Sequence, residues 1–173
     1  IRRNLLIAQA LAKPPVKAQV LLISGFRQAG SFPLPPGVDL VTLPAYRKDP
    51  DGSYHPQSLG DDVDLLVRLR AGLIGAALKR YPCDLFIVDN VPRGALGELA
   101  EVLAELRAHG RTRCVLGLRD VLDEPAVVQR QWRRQRNHEA VRQSFDEIWV
   151  YGDSALYDTA TEYGFDASLR ERI

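Results

Sequence analysis

Two kinds of apolar run alternate along this chain. Short, mainly apolar segments occupy residues 20–23, 38–43, 85–88, 113–118 and 148–151, with 85–88 unbroken and rich in β-branched residues, each closed by polar or turn-forming residues. Such runs predict strands buried on both faces of a parallel sheet. Between them the apolar residues recur at helical spacing. Leu5, Leu6, Ala8 and Leu11 predict a first helix, stopped by Lys13-Pro14-Pro15. Val63, Leu66, Val67, Leu73, Ile74, Ala77 and Leu78 predict a second that ends before Pro82, with Ser58 and Asp61 as its capping pair. Leu96, Leu99, Leu103 and Leu106 predict a third, from Ala95 to Gly110. Residues 125–145 read as mostly helical, with Val128, Trp132, Val141 and Phe145 as the buried stripe, and a short helix follows residue 153. Residues 30–37 form a Pro-rich connector, and 45–57 a long polar loop. The alternation of strand and helix predicts an α/β fold, a parallel sheet covered on both faces.

The strand ends are where chemistry belongs. Ser24-Gly25, Asp89-Asn90, Arg119-Asp120 and Gly152-Asp153 each close a predicted strand. In one parallel sheet these ends share an edge, and ligands of open α/β folds bind there. Taken singly, Asp89 and Asp153 are also good caps and turn formers. Arg119 at the end of a buried strand needs an ion partner, with Asp120 the nearest, or a ligand. Pro92-Arg93-Gly94 ahead of a helix suits an anionic group held by backbone N–H groups and a guanidinium. His55 in the polar loop is a candidate proton acceptor. His109 suits a helix carboxyl end, and His138 is expected to be solvated.

Composition narrows the classes. A net charge of +1 leaves no general basic character for nucleic-acid binding. The local exception is the Arg130, Arg133, Arg134, Arg136 and Arg142 cluster, read as a solvated helix face or, with Trp132, as a contact to an anionic membrane surface. Cys83 and Cys114 read as reduced buried thiols. No Cys/His cluster suggests a metal, no cofactor is implied, and no Walker, Gly-x-Ser-x-Gly or Gly-x-Gly-x-x-Gly motif is present. The absence of methionine and a start already in helical register predict a piece of a longer chain.

Four stretches together, Arg2-Arg3-Asn4-Leu5-Leu6-Ile7-Ala8, Asp89-Asn90-Val91-Pro92-Arg93-Gly94, Val115-Leu116-Gly117-Leu118-Arg119-Asp120-Val121-Leu122-Asp123 and Ile148-Trp149-Val150-Tyr151-Gly152-Asp153, carry a resemblance. They resemble the N-terminal half of a predicted bacterial glycosyltransferase family, itself similar to the enzyme that adds N-acetylglucosamine to the lipid-linked peptidoglycan precursor. The resemblance implies a two-domain GT-B protein. Residues 1–173 would be a single Rossmann-like, doubly wound acceptor-side domain, incomplete at its N-terminus and lacking the donor domain. It implies a nucleotide-sugar donor held mainly by that other domain and a hydroxyl-bearing acceptor; the reduced thiols point to a cytoplasmic protein, and the Arg-rich helix is the element that would touch the inner membrane face. Asp89, Asp120 and His55 become candidates for the base, with a stronger one expected upstream of Ile1. Ser24, Gly25, Asn90, Arg93, Gly94, Arg119, Gly152 and Asp153 become candidate acceptor contacts. In the strand order 3-2-1-4-5-6 the missing first strand would leave a gap between residues 20–23 and 85–88. A non-catalytic module binding a phosphorylated metabolite at the same edge is the alternative.

Overall fold

A computed structural model describes every residue except Asp51. The fold is mixed α/β, and its residues form two compact units, 1–76 and 77–173.

In the first unit, α1 (Arg2–Ala12) buries Leu5 and Ala8, while Leu6 is exposed. Strand β1 (Val20–Ser24) pairs in parallel with β2 (Val38–Thr42), from Val20 opposite Val38 to Ser24 opposite Thr42. The unbroken apolar run of β1 is only half-buried along its whole length. A short 3-10 turn (Arg27–Ser31) lies in the connection.

The segment expected to be an irregular polar loop is instead an antiparallel hairpin, β3 (Tyr46–Lys48) with β4 (Tyr54–Pro56). Tyr46 and Tyr54 meet edge to face at 5.8 Å across it. Backbone bonds from Asp49 to the Ser53 carbonyl and from Gly52 to the Asp49 carbonyl close its tip.

Helix α2 (Val63–Arg80) starts at a cap other than the expected Ser58/Asp61 pair. The Asp62 carboxylate, four residues beyond Ser58, accepts the Leu65 N–H at 2.8 Å and satisfies an otherwise orphan donor. Its buried positions are Leu66, Arg70 and Ile74, whereas Leu73 is exposed. Arg70 is thus buried on the same face as Leu66 and Ile74, a position the apolar spacing did not include.

The second unit holds a three-stranded parallel sheet in the order β5 (Leu85–Asp89), β6 (Arg113–Arg119), β7 (Glu147–Tyr151). β1–β2 and β5–β6–β7 are separate hydrogen-bonded sheets. Alternation places Phe86, Val88, Cys114, Leu116, Leu118, Ile148 and Val150 on one face. That face joins a single core with Leu103 of α3 (Ala100–His109), Val128 and Trp132 of α4 (Pro125–Arg134), and Val141 of α5 (Asn137–Ser144). Ala160 and Tyr163 close it from around α6 (Thr159–Glu162), with Leu169 from α7 (Ala167–Arg170). A buried leucine of this kind is worth roughly 1.5–3 kcal/mol.

The stripe Val128, Trp132, Val141 and Phe145 is fully buried, as its spacing predicts. The helix carrying it is broken, because Arg136 takes a left-handed conformation between α4 and α5. Helix α3 starts five residues later than its apolar spacing suggests. Gly97, at φ +89°, cannot continue a right-handed helix, and residues 95–99 form turns that leave Leu96 exposed.

His138 is not solvated. It packs edge to face on Trp132 at 5.1 Å and on Phe165 at 5.7 Å, and burial pushes its pKa below the ordinary value. Cys83 and Cys114 are free thiols, and burial raises both, Cys114 to about 11. No helix among the described residues is long and apolar enough to cross a membrane.

Candidate functional site

Parallel pairing brings three of the four strand ends to one edge. Asp89 lies opposite Gly117, and Arg119 lies opposite Tyr151. These four positions share a face of the sheet, the one opposite the helix-packed core. Strand spacing and rise put Asp89 and Arg119 about 8 Å apart between α-carbons, close enough for both to meet one small molecule. Tyr151 reaches back across β6, since a Cβ at Gly117 would fall 2.3 Å from its hydroxyl. The Arg119 side chain is exposed and has no hydrogen-bond or ion partner among the described residues, so the Arg119–Asp120 pair weighed from sequence does not form.

Asp120 has other work. One of its carboxylate oxygens accepts the Val121 N–H at 2.8 Å, and its carbonyl accepts the Thr159 hydroxyl at 2.9 Å. The side chain wedges against Gly152, where a Cβ would lie 2.4 Å from the Cβ of Asp120. The two loops interlock there. Asp153 accepts the Ala155 N–H at 2.9 Å, the turn-forming role that is its ordinary one.

The loop after β5 takes up its own backbone donors. Asn90, itself left-handed, donates to the Gly117 carbonyl, Val91 to Asp89, Gly94 to Val91 and Leu99 to Arg93. The Leu96 N–H goes to the Glu98 carboxylate at 2.9 Å. Glu98 is buried, and it nests against Gly94, where a Cβ would lie 2.6 Å from its oxygen. The Arg93 guanidinium donates to the Gln135 carbonyl at the α4–α5 joint. Arg93 and Gly94 thus hold the loop together.

The remaining candidates belong to the first unit. Ser24 Oγ accepts the Phe26 N–H at 3.1 Å. Gly25 makes room for Arg70, whose guanidinium would lie 2.9 Å from a Cβ there. His55 sits on β4 beside Asp49 at 3.4 Å and Ser53 at 3.3 Å.

Sequence reasoning missed Glu98 and Tyr163. The Tyr163 hydroxyl accepts the Leu122 N–H at 2.7 Å and donates to the Asp123 carbonyl at 3.2 Å, pinning the loop after β6. Only the tertiary fold brings these residues together, so no local spacing announces them. Among the described residues no group of His, Cys, Asp and Glu is placed to hold a metal ion. Trp132, raised as a membrane anchor beside the arginine cluster, lies in the core with 4% of its surface exposed.

The chain matches no family model, and neither a curated protein nor a solved structure shows significant similarity to it.

Proposed function

We propose that this chain is the acceptor-side half of a nucleotide-sugar-dependent glycosyltransferase of GT-B type, working at the carboxyl edge of β5–β6–β7. The observation that carries the reading is the register that sets Asp89 and Arg119 on one face of that edge. The resemblance of the Leu-Gly-Leu-Arg-Asp and Trp-Val-Tyr-Gly-Asp stretches supplies the reaction class.

In this reading the acceptor hydroxyl lies beside Asp89, next to the Tyr151 ring that covers Gly117. Asp89 takes its proton as the oxygen attacks the anomeric carbon of the donor. The new C–O bond forms as the bond to the diphosphate breaks, and the nucleoside diphosphate leaves with the electron pair. Arg119 faces the negative charge that builds on it. Of the three base candidates Asp89 fits best, since Asp120 is wedged in its turn and His55 belongs to the β3–β4 hairpin.

The test is sugar transfer from a panel of nucleotide sugars by the protein in its full natural length. Asp89→Asn is expected to lower turnover roughly a hundredfold or more, with donor binding retained. A second reading, a binding module for a phosphorylated metabolite, draws on the unpartnered Arg119. Tight binding without transfer, lost in Arg119→Gln, would establish that reading and remove the first.

A further inference from the structure

A cleft of about 350 Å³ opens at the carboxyl end of β2 in the first unit, within the size range of small-molecule sites. Leu43 and Leu66, both almost fully buried, give it an apolar floor, with Pro44 and Ala45 beside them. The Arg27 guanidinium is the one charged group in the lining, and its Nη1 donates to Ser58 Oγ at 3.2 Å. Arg27 is exposed and makes no ion pair among the described residues.

The wall is built rather than incidental. Arg70, 8% exposed, donates to the Pro44 carbonyl at 2.6 Å and lies 4.3 Å from the centre of the Tyr46 ring. A buried cation with these partners holds the turn from β2 into β3 in place. Gly25 leaves the space that Arg70 fills.

We infer that this cleft binds a small amphipathic anion, a carboxylate or phosphate monoester carrying a compact apolar group. The apolar part lies on Leu43 and Leu66, and the anionic head meets Arg27 and the Ser58 hydroxyl. Among the described residues the lining holds one cation and no carboxylate, which favours an anionic head. The inference does not rest on the glycosyltransferase reading, because no residue of β5–β6–β7 takes part.

The test is amide NMR titration of the 173-residue chain with phenyl phosphate, benzyl alcohol and inorganic phosphate. Phenyl phosphate should shift the Thr42, Ala45 and Ser58 amides saturably, with the other two probes binding roughly tenfold more weakly or less. Arg27→Ala should reduce phenyl phosphate to the level of benzyl alcohol, and Arg27→Lys should recover part of the loss. Arg27 is an exposed residue, so an unchanged spectrum outside the cleft certifies the fold of these variants. Ala45→Leu, which fills the cleft, should abolish binding. Equal affinity for the alcohol and the phosphate, binding indifferent to both Arg27→Ala and Ala45→Leu, or shifts that follow Arg119→Gln instead would each overturn the inference.

Discussion

Strands β1 and β6 are written in nearly the same alphabet and end up in different environments. Val20-Leu21-Leu22-Ile23 is as apolar as Cys114-Val115-Leu116, yet every residue of β1 keeps part of its surface, while these three residues of β6 lose all of it. The difference is neighbours. β6 has a strand on each side and a helical layer on one face, whereas β1 pairs with β2 alone. An apolar run states how much burial a strand can use. How much it receives depends on what the rest of the fold brings to it.

Substitution puts a scale on that contrast. Leu116→Ala in β6 should cost about 3–5 kcal/mol, whereas Leu22→Ala in β1 should cost about 1 kcal/mol. Urea denaturation followed by far-UV circular dichroism measures both. Equal losses would show that β1 is as well packed as β6.

Next in size comes the interlock of the loops that leave β6 and β7. Gly152→Ala sets a methyl against the Cβ of Asp120, an atom too near the backbone to swing aside. A loss of about 1–3 kcal/mol is expected, with amide shifts at Val121 and Asp153. A neutral variant would mean that the two loops move independently.

The smallest effect lies at the amino end of β6. Burial works against the Asp146 carboxylate, but the Cys114 N–H at 2.7 Å and Arg107 at 2.6 Å hold its pKa below the ordinary carboxylate range. A carboxylate depressed in the folded state stabilises it above the unfolded pKa of about 4, and that contribution disappears as pH falls through the folded value. Asp146→Asn should therefore flatten the acid limb of the stability profile, read from urea midpoints across acidic pH.

Legibility followed the same line between local and distant causes. β5, β6 and β7 could be read because mainly apolar runs stop at Asp89, Arg119 and Gly152. The buried stripe from Val128 to Phe145 could be read because its spacing survives the break at Arg136. The β3–β4 hairpin escaped notice, since its strands are three residues each and alternate tyrosines with Arg47, Lys48 and His55. Arg70 escaped because periodicity counts arginine as polar, while Pro44, Tyr46 and Gly25, which make its burial tolerable, lie far off in sequence. At the candidate site the edge itself was legible. Less legible was which polar residues would be drawn into turns, as Asp120 and Asp153 are, and which would face outward, as Arg119 does.

Glu98 gives the loop after β5 a tenant of its own. Its carboxylate is seated against Gly94 and on the Leu96 N–H, so the space and the backbone donor that a bare glycine turn would offer are both taken from within the chain.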